Sequence, residues 1–127
     1  MRVYVDSDVL IWHLRGEKRA AVLLRRLAKT AQVELWTGAM QRAEVVFFMR
    51  PTEEAATLSL LSRVKTHAVT QAVVDRASAF YRRWHSSHGI DVNDALLAAS
   101  AAETGGKVVT QNTKHYPMPD VVVERGW

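Results

Sequence analysis

Three carboxylates lie at positions where α/β proteins commonly have their functional residues, close to the predicted ends or starts of strands and helices. Asp6 follows a short extended run, Glu44 lies on a helix predicted after the next run, and Asp94 begins a helix that leads into a later strand. Carboxylates gathered without a lysine or arginine repel one another, and a hard cation such as Mg²⁺ or Mn²⁺ relieves that repulsion. Mg²⁺ keeps several of its waters, so one of them can act as a nucleophile. The three acids are therefore candidates for a catalytic metal site.

Each acid also has a purely structural interpretation. Asp6 could cap the first helix, and Asp91 could cap the later helix with Asp94 completing a capping box. For each of these residues taken singly, capping is the simpler interpretation. Glu44 precedes an apolar run, where a carboxylate risks burial and needs a partner, although a solvated or ion-paired glutamate fits equally well.

The order of the predicted elements brings these acids to one edge of a sheet. Strands are predicted over residues 2–5, 32–36, 66–69, 107–110 and 120–124. Helices are predicted over residues 9–14, 17–30, 37–48, 51–63, 70–86 and 91–104, the fourth of them capped by Thr52. Alternating strands and helices are typical of a three-layer α/β/α fold with a central, mostly parallel sheet of four or five strands. Ligands of such sheets bind beyond the carboxyl ends of the strands.

Length and composition narrow the possibilities further. A chain of 127 residues suits one core, so we expect residues 1–127 to form a single domain. The absence of cysteine excludes thiolate catalysis and a cysteine zinc site, and it fits a reducing cytoplasm. The first residues lack the apolar run of a signal peptide, and no stretch is apolar enough to span a bilayer, so we expect a protein that is neither exported nor embedded in a membrane. The net charge of +4 weakly favours a polyanionic partner such as RNA.

Three segments resemble the motifs of PIN domains. Residues 5–11 (VDSDVLI) resemble the opening motif, residues 93–101 (NDALLAASA) the third, and residues 110–117 (TQNTKHYP) the threonine-led fourth. Together with Glu44 they span almost the whole chain in the order and spacing of the family. The resemblance implies a PIN-like fold and a metal-dependent endoribonuclease that uses Mg²⁺ or Mn²⁺. It carries over Asp6, Glu44 and Asp94 as the metal-site acids.

Within that family, the size of the chain and its Lys-His-Tyr-Pro segment resemble VapC-type toxins. This resemblance implies cleavage of cellular RNA by in-line attack of water, with arrest of translation or growth as the result. It also implies a homodimer and a VapB-like antitoxin whose C-terminal segment blocks the acidic site. Toxin and antitoxin could assemble into a larger toxin–antitoxin complex. The apolar run 45–49 (VVFFM) should pack in the core, the alternative being a groove for an antitoxin helix.

Four further residues are secondary candidates for the site. Asn112 stands where many family members carry a fourth acid, so this chain departs from the four-carboxylate pattern, and Asn112 could equally be a turn residue. Asp91 could supply part of the missing charge. Ser7 and Thr110 could hydrogen-bond the acids or a metal-bound water, or could make ordinary hydrogen bonds at strand ends.

Rival functions are open at this stage. The chain could be a PIN nuclease of RNA processing without an antitoxin, or a PIN-like module that binds RNA or protein without catalysis. A flavodoxin-like phosphate binder needs a glycine-rich turn between strand and helix, whereas Gly105 and Gly106 precede a strand. Arg15, Arg42 and Lys114 lie near the proposed site segments, where they could hold an RNA backbone or simply be solvated.

Overall fold

The computed structural model describes residues 1–127, and its five strands form one parallel sheet in the order β3-β2-β1-β4-β5. The strands are β1 (Arg2–Val5), β2 (Glu34–Gly38), β3 (Lys65–His67), β4 (Lys107–Thr110) and β5 (Val122–Arg125). The helices are α1 (Ser7–Leu14), α2 (Lys18–Lys29), α3 (Ala39–Val46), α4 (Glu54–Leu61), α5 (Gln71–His88) and α6 (Val92–Thr104), with short 3₁₀ turns at Pro51–Glu53 and Thr113–His115. The predicted α/β/α architecture is confirmed, and the sheet is entirely parallel.

Alternation along β1 divides the core into two layers. Val3 and Val5 are fully buried in a cluster with residues of α1, α2, α3 and α4, whereas Tyr4 is fully buried in a second cluster built largely from α5 and α6. Successive side chains of a strand point to opposite faces, so one short apolar strand serves both layers. The central strand therefore fixes the helices on the two faces relative to each other.

The chain changes direction across the sheet between β1 and β4. It runs from β1 outward to β2 and β3, and then returns through α5 and α6 to β4 on the other side of β1. Tyr4 is in register with both Trp36 of β2 and Val108 of β4. Such a reversal leaves a crevice at the carboxyl ends of the strands. Asp6 and Thr110 lie at that crevice.

Helix α6 begins and ends as the sequence predicts. Asp91 accepts a hydrogen bond from the backbone of Asp94, and Asp94 accepts one from the backbone of Asp91, which completes the capping box. Gly105 ends the helix with a φ of 68°, a left-handed conformation that favours glycine. Among all the helices, none combines the length and apolar character that a membrane span requires.

Three local predictions are wrong. Strand β2 begins at Glu34 and not at Gln32, because Gln32 adopts a φ of 64° within a turn. Thr52 caps no helix, since Pro51 starts a 3₁₀ turn whose N-cap is Arg50. Helix α3 ends at Val46, so Phe47 and Phe48 leave the helix and are 79% and 84% exposed, not packed in the core.

Candidate metal centre

Asp6 lies at the end of β1, where its side chain caps α1. Its Oδ1 accepts a hydrogen bond from the Ser7 backbone at 2.8 Å, and its Oδ2 accepts from the Thr110 hydroxyl at 2.9 Å and from the Tyr116 hydroxyl at 2.8 Å. A carboxylate oxygen has two lone pairs, so Oδ2 is saturated and Oδ1 keeps one free. Asp6 is thus the predicted cap, and it remains a candidate ligand with one available lone pair on Oδ1.

Asp94 combines capping with a position beside Asp6. The oxygen Oδ2 closes the capping box with the Asp91 backbone at 3.0 Å, while Oδ1 lies 3.4 Å from the Tyr116 hydroxyl. Because the same hydroxyl donates to Asp6, Tyr116 bridges the two acids. His115 Nδ1 lies 3.2 Å from Asp94 Oδ2, and no lysine or arginine forms a salt bridge with any of the candidate acids.

Glu44 joins the site through residues adjacent to the other two acids. Its Oε2 accepts from the Ser7 hydroxyl at 3.2 Å, and its Oε1 accepts from the Asn93 amide at 3.3 Å. The buried Gln41 of the same helix donates to the Asn93 carbonyl at 2.9 Å, which holds α3 against the start of α6. Glu44 is therefore half-buried and held towards the acidic edge without direct contact with Asp6 or Asp94.

Asp8 is an acid of this edge that the sequence prediction did not include. Its Oδ2 accepts from the Gln111 backbone at 3.0 Å and lies 3.4 Å from the Thr110 hydroxyl that donates to Asp6. The spacing Asp6-Ser7-Asp8 was a usable signal, since the second acid falls in the first turn of a helix that starts at the site. Asp8 ties α1 to the segment that follows β4.

Tyr116 is the second residue of the candidate site that the sequence prediction missed. It lies within the segment that resembles the fourth motif, but nothing local indicates that its hydroxyl would reach Asp6, 110 positions earlier in the chain. The side chain is 4% exposed. Burial and the charges of Asp6 and Asp94 hold the pKa of Tyr116 well above its ordinary value, so the hydroxyl keeps its proton and acts as a donor.

The four acids make the site strongly electronegative. Burial raises the pKa of Asp94 to about 7, and the carboxylates of Asp91 and Asp6 add to the rise. Burial raises the pKa of Asp8 to about 6, with the charge of Asp6 contributing. Burial also raises the pKa values of Asp6 and Glu44 above the ordinary range for carboxyl groups. None of the four acids has a lysine or arginine as a salt-bridge partner.

This donor chemistry fits a divalent cation. No three histidine, aspartate or glutamate side chains stand close enough together to ligate one ion in the present arrangement. The oxygens nevertheless point to one edge of the sheet, none is paired with a lysine or arginine, and all are disfavoured as free anions. Hard oxygen ligands that need positive charge are what Mg²⁺ and similar ions bind.

The remaining predicted residues lie at different distances from this edge. The side chain of Asn112 approaches His115 Nδ1 at 2.7 Å, and its backbone donates to the Thr110 hydroxyl at 3.0 Å, so it behaves as a turn residue beside the acids. Arg42 points away, with Nη1 3.5 Å from the Thr66 hydroxyl of β3. Lys114 is exposed on the turn after β4.

A groove of about 390 Å³ adjoins Glu44. Apolar side chains of α1, of the end of α3 and of the segment that follows α3 line it together with polar and charged ones, namely Ile11, Leu14, Val45, Phe48, Met49, Arg15, Arg50, Glu53 and Thr57. The exposed end of the apolar run thus borders an open groove, which is the alternative that the sequence left open.

Comparison with known proteins agrees with the motifs. Residues 3–120 match the family model described as the PIN domain. The chain is 36% identical to ribonuclease VapC19 of Mycobacterium tuberculosis over 119 residues, covering 92% of this chain and 94% of the relative. It is 33% identical to ribonuclease VapC10 of the same species over 117 residues, covering 91% and 86% of the two chains.

Solved structures share the fold at lower identity. The structure of VapBC-1 from nontypeable Haemophilus influenzae superposes with a TM-score of 0.80 and 17% identity, covering 99% of this chain and 98% of the other. The structure of VapBC2 from Rickettsia felis, bound to a DNA fragment from their promoter, superposes with a TM-score of 0.79 and 20% identity, covering 98% of each chain. The sheet order and the helical layers are therefore those of a known architecture.

Proposed function

Because this chain belongs to the PIN-domain family, we propose that it is an endoribonuclease and the toxin of a VapBC-type toxin–antitoxin pair. The observation that carries the proposal is the set of uncompensated carboxylates of Asp6, Glu44 and Asp94 at the carboxyl edge of the sheet. The identity to two curated VapC ribonucleases over nearly the whole chain supports RNA as the substrate. A module without catalysis would have no need for these costly buried acids.

Asp6, Asp94 and Glu44 would hold the cation, with Asp8 contributing charge from beside them. Mg²⁺ is the preferred identity and Mn²⁺ the alternative, since both favour carboxylate oxygens. A cation held there would supply Lewis-acid chemistry, which would lower the pKa of a water for in-line attack on the phosphodiester and would offset the charge that develops on the phosphoryl oxygens.

The remaining residues of the site orient these acids. Thr110 and Tyr116 saturate Asp6 Oδ2, which leaves Oδ1 as the oxygen that would bind the cation. Ser7 and Asn93 hold the two oxygens of Glu44. Such supporting hydrogen bonds fix ligand geometry before substrate arrives.

A VapB-like antitoxin and a homodimer complete the proposal. Structural neighbours that are VapBC complexes support the antitoxin. The groove of about 390 Å³ combines apolar and charged lining residues and includes Glu44 of the candidate site, which suits an amphipathic partner segment that reaches this acid. The chain has no cysteine, in keeping with the cytoplasm where RNA is found.

The direct test is cleavage of RNA from the protein's host by purified chain free of antitoxin. We expect cutting with Mg²⁺ or Mn²⁺, none with EDTA, and none for Asp6→Asn, which keeps the size of the side chain. Asp120→Asn, which alters an exposed acid away from the site, serves as the control and should cut normally. If the folded wild-type chain cleaves RNA with neither Mg²⁺ nor Mn²⁺, the result would instead favour a PIN-like module that binds without catalysis.

A further inference from the structure

Two tryptophans line a cavity next to the segment that follows β4. The cavity has a volume of about 220 Å³, and Trp12 and Trp127 line it together with Gln111, Glu17 and Arg19. Trp12 is 46% exposed and Trp127 is partly exposed. Trp127 also packs against the core cluster that contains Val3 and Val5, so part of its ring is held in place while the rest faces the cavity, and the exposed ring of Trp12 faces the same cavity.

The position of Trp12 is set by the same helix that carries Asp8. The two residues are four apart on α1, so they lie on one face of the helix, a single turn from each other. Asp8 accepts a hydrogen bond from the Gln111 backbone at 3.0 Å, and Gln111 also lines the cavity. The cavity therefore begins one helical turn from the acidic cluster.

Trp127 is fixed by the side chain of Gln111. The Gln111 amide donates to the Trp127 carbonyl at 2.9 Å, and its oxygen accepts from the Trp127 backbone at 2.9 Å. This pair of bonds holds the second indole against the residue that follows Thr110. Both tryptophans are thus anchored to elements of the candidate site and not to a mobile surface.

The surroundings of the cavity are mainly basic. An adjoining cavity of about 330 Å³ shares Arg19 and Trp127 with it and is also lined by Lys18 and Arg26. The Arg19 guanidinium lies 5.8 Å from the centre of the Trp127 ring. Glu17, which pairs with Arg19, is the one acid among the lining residues of the two cavities. A polyanion with flat apolar groups complements this combination of charge and aromatic surface.

We propose that the cavity between Trp12 and Trp127 binds an unpaired nucleobase of the RNA substrate, next to the phosphodiester that is cut. The inference rests on the proposed ribonuclease function and adds a substrate subsite to it. Single-stranded RNA is recognised by stacking of splayed bases on aromatic side chains, with cations tracking the phosphates. Lys18, Arg19 and Arg26 supply those cations, and stacking makes the subsite select single-stranded RNA over duplex.

The test measures binding without cleavage. A fluorescein-labelled single-stranded RNA of about ten nucleotides is titrated with the full chain in EDTA, and anisotropy gives the Kd. We expect Trp12→Ala to weaken binding about tenfold, Trp12→Phe to restore most of it, and Trp127→Ala to resemble Trp12→Ala. Phe47→Ala, which removes an aromatic ring that is 79% exposed elsewhere, should bind as the wild type does. Thermal unfolding of each variant verifies that it is folded.

Equal Kd values for the wild type, Trp12→Ala and Trp127→Ala would overturn the subsite, as would an equal loss in Phe47→Ala. The subsite would also be overturned if Trp12→Ala weakened the binding of a duplex RNA of the same length as much as it weakens the binding of the single strand. The metal-dependent cleavage assay separates this failure from that of the proposed function. If the wild type cleaves RNA but neither tryptophan affects RNA binding, only the proposed subsite is wrong. If the wild type does not cleave RNA, the proposed nuclease function is wrong.

Discussion

At the residue scale, the site is a set of acids held by hydroxyl and amide donors in place of cations. Tyr116 and Thr110 orient Asp6, and Ser7 and Asn93 orient Glu44. Neutral donors fix the carboxylates without cancelling their charge. The negative potential is therefore preserved for a divalent cation, which a lysine or arginine at the same positions would displace.

Asp8 gives a prediction at this scale. Asp8→Asn keeps an oxygen that can accept from the Gln111 backbone but removes a charge that burial and Asp6 disfavour. We expect a higher melting temperature in EDTA near neutral pH and RNA cleavage lower by about tenfold. Asp75→Asn, on an exposed position of α5, should change neither. Unchanged cleavage by a folded Asp8→Asn variant would remove Asp8 from the functional set.

At the scale of elements, helix α6 delivers Asp94 to the site through its own N-terminal cap. The capping box joins Asp91 and Asp94, so the helix start and one acid of the site are a single structure. Capping and metal binding are therefore compatible interpretations of these residues. Asp91 contributes both the cap and part of the negative field around Asp94.

Replacing Asp91 separates these two contributions. Asp91→Asn retains a good capping side chain, whereas Asp91→Ala does not, and loss of such a cap costs about 1 kcal/mol. We expect urea unfolding to show that loss for Asp91→Ala and little change for Asp91→Asn. If Asp91→Asn loses as much stability as Asp91→Ala, the charge and not the cap holds the helix start.

Elements with strong local signals could be predicted from the sequence, and those decided by the tertiary structure could not. The apolar run of β1 and the caps of α6 are local, and both were predicted correctly. The end of α3 was not, because Phe47 and Phe48 were predicted as core residues, whereas both side chains are exposed and only Phe48 lines a groove. The three candidate acids could be proposed from the order of the sequence motifs. The contact of Tyr116 with Asp6 could not, because it depends on how segments that are distant in sequence pack together.

At the scale of the whole molecule, the acidic edge destabilises the fold as pH rises. Asp94 and Asp8 have folded pKa values of about 7 and about 6, well above the ordinary 3.8. A group whose pKa is raised by folding contributes stability below its unfolded pKa, and this contribution is lost as pH rises through the folded value. Through these two groups, the chain without cation should therefore be less stable at neutral pH than in mild acid.

Urea unfolding in EDTA between about pH 5 and about pH 8 tests this expectation. We expect the free energy of unfolding to fall across that range, and Asp94→Asn to flatten the fall. Mg²⁺ should stabilise the chain more at the alkaline end, because protons compete with the cation for the same oxygens. A pH dependence that is identical in the wild type and Asp94→Asn would contradict the assignment of the fall to this acid.

The most direct test of the metal centre is a calorimetric titration of Mn²⁺ into the full chain near neutral pH. We expect one set of sites in the wild type, and binding weakened about tenfold or more in each of Asp6→Asn, Glu44→Gln and Asp94→Asn, with Asp120→Asn unchanged. Equal affinity for Mn²⁺ in the wild type and in all three site variants would contradict a metal centre formed by these acids.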